Sequence, residues 1–263
     1  MADADAVRGA GLPDRLTSGP PSGSGLPTAE PEKVMTLVEH LTELRSRLVK
    51  SILAVLIGAA IGFARVREIR DVLIAPLPDD HEVLQVLGPG DAFGIALKIS
   101  IVVGIILAMP VLLYQLWAFV APGLTPTERR ALRPWIPLAL FFFVLGVSIA
   151  YVILPFAIGF LLAFTDDKLV ANLAAPPYFD FVTTMFLAFG LLMEFPIVLY
   201  GLARVHILSS ARLRSSRRVV ILTIAVFSAV ATPGGDLVSP TILGLTMYLL
   251  FELTLIAIRR SGR

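Results

Sequence analysis

The chain has 263 residues, is 56% hydrophobic and only 16% charged, against about a quarter charged in ordinary globular domains, and its mean hydropathy is +0.83. It contains no cysteine, which excludes disulfides, thiol nucleophiles and thiolate metal sites. The formal net charge is only +2, so the pI of 9.1 gives no reason to expect a nucleic-acid partner.

Residues 1–33 are rich in Gly, Pro, Ala and Ser and show no apolar periodicity, so they read as a disordered extension. They contain no apolar run of the kind a signal peptide needs. The rest, 34–263, reads as one membrane domain. It opens on TLVEHLTELRSRLVK, where Leu37, Leu41, Leu44 and Leu48 recur at helical spacing. Thr36 and Glu39 form a capping-box pattern, while Glu39, Glu43, Arg47 and Lys50 populate the opposite face. Taken locally, this is an interfacial helix with solvated or paired charges, Glu43 and Arg47 standing at i,i+4.

Six apolar stretches follow, near 48–64, 99–120, 135–154, 179–203, 219–231 and 241–258. About 20 residues are needed to cross ~30 Å of hydrocarbon as a helix. The second to fourth stretches clear that length, the first and sixth are marginal, and the fifth has thirteen residues. The expected fold is therefore an all-α, six-span polytopic bundle with its last two spans short. Phe156–Phe164 is apolar enough to form a separate helix over the bundle.

Lysine and arginine placement sets the orientation. Six lie in residues 1–50, three at Arg129–Arg133, five at Arg204–Arg218 and three at Arg259–Arg263, which leaves five of the 22 for the other side. The positive-inside rule then puts both termini in the cytoplasm.

Three carboxylates near or within the spans stand out. In APGLTPTERRALRP, Thr125, Pro126 and Glu128 spell a second capping box, which by itself explains Glu128. Glu43 and Glu128 share the cytoplasmic side, and paired carboxylates there suit guanidinium ligands, which bind in a planar fork. Glu194, in FGLLMEFPIVLY, is ten residues from Arg204, or about 15 Å of helix. An ionisable group at that depth costs at least ~2.5 kcal/mol and marks a functional position. The bland alternative is a structural hydrogen bond to Gln115, Thr183, Thr184 or another interior group. Pro196 frees the carbonyl of Leu192 and is expected to kink the helix. Glu252 lies close to Arg259 and Arg260 and is expected to pair with them.

Enzyme signatures are absent. There is no G-x-S-x-G, H-E-x-x-H or P-loop motif, and His40, His81 and His206 are scattered. No catalytic residue, cofactor or metal site is expected. From the residues alone, one reading is a proton-coupled secondary transporter of small solutes, with Glu194 as the coupling acid.

Five segments in this order carry a resemblance: EHLTELRSRL (39–48), AMPVLLYQLWAFVAPGLTPTERR (108–130), FLAFGLLMEFPIVL (186–199), ATPGGD (231–236) and the Phe251–Glu252 pair. The chain resembles the TatC family, the receptor and core subunit of the twin-arginine protein translocase, from about Met35 to Arg260. The resemblance implies an inner-membrane protein that binds the twin-arginine signal peptides of folded precursors at its cytoplasmic face. Glu43 and Glu128 match the family's peptide-binding glutamates, Arg45 the arginine of the first motif, and Phe119 and Leu124 apolar positions near the recognition surface. Glu194 and Pro196 match an intramembrane polar feature linked to the single-span partners TatA and TatB. Assembly with those partners, self-association in a larger complex and use of the proton gradient are implied in the same way. The family commonly reads T-P-P-D where this chain has T-P-G-G-D, one residue longer, at Asp236.

Overall fold

The computed structural model describes residues 37–78, 83–166, 172–204, 215–232 and 236–260. The expected disordered segment 1–33, Thr36 of the first capping box, His81 and His206 lie outside the described residues. Nine α-helices are described: α1 (Leu37–Ala64), α2 (Val66–Ile74), α3 (Asp91–Val120), α4 (Pro126–Leu132), α5 (Trp135–Leu162), α6 (Ala175–Leu192), α7 (Phe195–Arg204), α8 (Arg217–Ala231) and α9 (Val238–Arg260). A 3₁₀ turn, Ala121–Gly123, links α3 to α4. Gln85 and Ala174 form an isolated parallel bridge.

Five stretches are long and apolar enough to cross a membrane: Val38–Ala64, Asp91–Gly123, Pro126–Leu162, Ala175–Ala203 and Val238–Ile258. The first and last, expected to be marginal, are full-length helices of 28 and 23 residues. The expected fifth span lies within α8, whose 15 residues reach about 22 Å at 1.5 Å per residue, short of the hydrocarbon thickness.

Two sequence expectations need correction. The charged stretch before the first span is not a separate interfacial helix: α1 runs unbroken from Leu37 to Ala64. Nothing in that stretch stops a helix, since no Gly or Pro lies between Leu37 and Ile57. Phe156–Leu162 likewise continues α5 rather than forming a helix over the bundle, because α5 carries Pro155 internally. In membrane helices neighbouring groups can satisfy the carbonyl that a proline frees, so the helix need not end there.

The core gathers around α6, which packs against α3, α5 and α8. Phe179, Val182, Met185 and Phe189 recur at three- and four-residue spacing on α6 and are almost completely buried. On α9, the stripe Leu243, Met247, Phe251, Leu255 and Ile258 is buried in the same way. Side-chain links fasten the helix ends: Tyr178 Oη donates to the Leu73 carbonyl at 2.6 Å, and Lys98 pairs with Asp180 across α3 and α6. Asp236 Oδ1 accepts from Ser239 N–H at 2.6 Å and so caps the start of α9.

The α1–α3 contact has a different basis. Lipid is as apolar as leucine, so membrane helices gain little from burying apolar side chains and pack through small residues instead. A Cβ on Gly58 would lie 2.7 Å from the Gly104 carbonyl oxygen, and one on Gly104 would lie 2.6 Å from Ala59 N and 2.8 Å from Val55 O. Gly62 faces Ser100 O at 3.1 Å on the same criterion. Gly58–Gly62 on α1 and Ser100–Gly104 on α3 are thus facing small-residue pairs at four-residue spacing. Gly190 and Phe143 make a similarly close approach between α6 and α5.

Gly104→Ala is expected to force α1 and α3 apart and destabilise the protein by about 1–3 kcal/mol, the usual cost of overpacking. Gly159→Ala, where an added Cβ meets nothing within 4 Å, is the control and is expected to be neutral or mildly stabilising. Thermal unfolding in detergent micelles checks this; identical melting of Gly104→Ala and the parent would refute the packing assignment.

Candidate functional site at the α1–α3–α4 surface

At the end of the bundle that carries α4, α1 and α3 are joined by a chain of polar and aromatic contacts. The His40 ring stacks on Phe119, with centroids 4.3 Å apart and planes 16° from parallel. His40 Nδ1 lies 3.9 Å from Glu43 Oε2. Glu43 Oε1 accepts from Arg47 Nε at 2.9 Å and also from Arg47 Nη2, so one oxygen takes both donors of the fork. Arg47 Nη1 in turn donates to Gln115 Oε1 on α3 at 3.3 Å. The Glu43 side chain is only 18% exposed, and its Oε2 is buried with no hydrogen-bond partner. A carboxylate in that state keeps acceptor capacity for one further donor.

The second carboxylate belongs to a different element. Chain reversal after α3 leaves Leu124 extended and Thr125 as the N-cap of α4, with Pro126 at the first helical position, where its missing N–H costs nothing. Glu128 Oε2 accepts from Thr125 N–H at 3.0 Å and from Thr125 Oγ1 at 2.8 Å, while Thr125 Oγ1 accepts from Glu128 N–H at 3.4 Å. The capping box expected from the sequence is therefore formed. Its effect is to hold the Glu128 carboxylate back over the first turn.

Glu43 and Phe119 are thus drawn into one cluster, with His40, Arg47 and Gln115 as members that sequence spacing did not single out together. The i,i+3 placement of His40 before Glu43 was the available signal for the first of these. Leu124 lines an adjoining groove, and Arg45 is exposed on α1.

Glu194 sits apart, in the two-residue break Met193–Glu194 between α6 and α7. Pro196 is the second residue of α7, where a missing N–H is tolerated, and it is buried. The proline thus marks a helix restart, not a bend within one helix. Glu194 Oε1 is buried and has no hydrogen-bond partner among the described residues. The alternative partners do not serve it: Gln115 accepts from Arg47, Thr183 donates to the Phe179 carbonyl, and Thr184 is exposed. Glu252 is paired as expected but with another partner, Arg217 Nη2 of α8 at 2.6 Å; the side chains of Arg259 and Arg260 lie outside the described residues.

A helical bundle with five apolar stretches of spanning length and charged groups clustered at helix ends defines a multi-pass membrane protein. Comparison with known proteins makes this specific. Residues 39–245 match the model of the family described as Sec-independent protein translocase protein (TatC). The chain is similar to the Sec-independent protein translocase protein TatC of Carboxydothermus hydrogenoformans, 35% identical over 225 residues that cover 85% of this chain and 93% of the relative. The TatC protein of Desulforapulum autotrophicum is 36% identical over 236 residues, covering 88% of this chain and 87% of the relative. A crystal structure of the twin arginine translocase receptor TatC superimposes with a TM-score of 0.72 at 36% identity, covering 86% of this chain and all of that one. The chain belongs to the TatC family of protein translocase components. Membership in a protein-translocase family disfavours the small-solute transporter reading.

Thr125→Val is expected to remove the α4 cap and speed amide exchange in residues 127–132 about fivefold, in line with ~1 kcal/mol for an N-cap. Thr125→Ser should leave exchange unchanged. Equal exchange in Thr125→Val and the parent would show that the box does not hold α4.

Proposed function

We propose that this protein is the receptor and core subunit of a twin-arginine translocase, binding the signal peptides of folded precursors through Glu43 and Glu128. The observation that carries the proposal is the state of Glu43. Its carboxylate already holds a guanidinium, that of Arg47, and its second oxygen is buried with no hydrogen-bond partner. A peptide arginine meets there a carboxylate able to bind a guanidinium, in competition with the i,i+4 pair to Arg47 and with the nearby His40 ring. Glu128 is presented by a capped turn on the same end of the bundle and receives the second arginine. Phe119 and Leu124 supply apolar contact, and Arg45 flanks the site on α1.

The chain adopts a six-span arrangement in the bacterial cytoplasmic membrane, with α8 as a short span and both termini in the cytoplasm. The distribution of lysine and arginine supports that orientation. TatA and TatB assemble against the bundle, and Glu194, with Pro196 beside it, is their polar contact within the membrane. The buried oxygen of Glu194 suits a donor brought by a partner helix. The protein joins further copies in a larger complex, and transport draws on the proton gradient.

Binding of a twin-arginine signal peptide to the purified, reconstituted protein tests the recognition step. Glu43→Ala and Glu128→Ala are each expected to weaken binding by about tenfold or more, from ~1.5–3 kcal/mol per charged hydrogen bond. Unchanged affinity in both variants, with elution profiles like the parent, would overturn the assignment.

A further inference from the structure

Beside the carboxylates lies a groove of the opposite charge. It has a volume of about 910 Å³ and is bounded by the end of α3, the whole of α4 and the start of α5. Its walls carry Arg129, Arg130 and Arg133 together with Tyr114, Trp117 and Ile136, and no carboxylate lines it. Among the described residues, no ion pair joins any of the three arginines to an acidic group. The Arg129 guanidinium stands 5.5 Å over the Trp117 ring. Trp117 Nε1, a donor with no acceptor function, is buried without a hydrogen-bond partner.

Three guanidinium groups with no acidic partner among the described residues suit an anion rich in acceptor oxygens, and a phosphate diester meets that description. The same field repels a guanidinium, so the groove is no pocket for a peptide arginine, although it adjoins the recognition site proposed at Glu43 and Glu128 and shares Leu124 with it. Its apolar continuation identifies the source of the phosphate. From Tyr114 the same face of α3 runs on through Val111 and Leu107, and from Pro137 the face of α5 runs on through Phe141 and Val144. These four continuing side chains are exposed and lie on spanning helices. A free phosphate has no use for such a surface; two acyl chains do. Tyr and Trp at the mouth are the side chains that membrane boundaries favour.

We propose that this groove binds one anionic phospholipid, its phosphate held by Arg129, Arg130 and Arg133 and its acyl chains lying along α3 and α5. The lipid offsets part of the net positive charge of the α4 turn.

The chain has two tryptophans, so Trp135→Phe leaves Trp117 as the sole tryptophan, excited selectively over the tyrosines at the red edge of the absorption band. In phosphatidylcholine vesicles containing a minor fraction of phosphatidylglycerol brominated on its acyl chains, Trp117 is expected to be quenched more than by the same fraction of brominated phosphatidylcholine. Replacing all three arginines by glutamine should erase that preference, and Arg130→Gln or Arg133→Gln alone should weaken it roughly fivefold. The single variants carry the test if the triple variant does not fold, which its emission in plain phosphatidylcholine will show. Excess inorganic phosphate should leave the preference intact. Equal quenching by the two lipids, or a preference that survives the arginine replacements, overturns the proposal. A preference abolished by inorganic phosphate assigns the site to a free anion and overturns the lipid occupant.

Discussion

The geometry of the charged surface depends on how closely α1 can approach α3. α1 packs on α3 and, more weakly, on α2, and its other faces present Leu41, Leu48, Ile52 and Leu56 to the surroundings. With no hydrophobic gain available between helices in lipid, that approach rests on Gly58, Gly62 and Gly104, where backbone meets backbone. Because α1 is one rigid helix, a shift at Gly58 is carried four turns away to Glu43. The His40–Phe119 stack and the Arg47–Gln115 hydrogen bond then act as the local fastening. Neither is strong enough alone to position a helix; together with the glycine seam they set where the carboxylate stands.

Polar groups elsewhere in the bundle fall into two kinds. Some are matched and structural: Asp236 caps α9, Arg217 and Glu252 join α8 to α9, and Lys98 and Asp180 join α3 to α6. Buried atoms without a hydrogen-bond partner remain at the second oxygen of Glu43, an oxygen of Glu194 and the indole N–H of Trp117, and also, within those structural links, at Arg217 Nε, Asp236 Oδ2, Ser239 Oγ and Glu252 Oε1. Leaving a buried polar atom unpaired typically costs about 1–3 kcal/mol, and at the exposed helix ends a ligand can repay that deficit. Their signs differ: Glu43 and Glu194 present acceptors, while the groove near Glu43 presents donors. A surface of that kind underlies the proposal that an arginine-bearing peptide and an anionic lipid bind at adjacent positions.

Much of this was legible in the sequence. The all-helical membrane class followed from apolar run length, and the Thr125–Glu128 cap followed from a local motif that needs no tertiary context. Glu194 was visible as an expensive carboxylate. What could not be read were features set by contacts distant in sequence. Glu252 has its partner 35 residues away in Arg217, not in the arginines nearest along its own helix. Gln115 meets Arg47 across 68 residues, which removes it as a neighbour for Glu194. Local pattern also misjudged continuity: a charged stretch and a proline suggested boundaries at Leu48 and Pro155 that the helices α1 and α5 ignore. The Gly58–Gly62 spacing was a readable signal for the α1–α3 seam, but its partner face on α3 could be identified only in three dimensions.

The central claim is that Glu43 binds a peptide guanidinium directly. A double-mutant cycle measures this most directly, combining Glu43→Gln in the reconstituted protein with replacement of each arginine of a twin-arginine signal peptide by glutamine. Direct contact predicts a coupling on the order of 1.5–3 kcal/mol between Glu43 and one of the two arginines, the second change costing far less once the first is made. Strict additivity for both arginines would contradict the account.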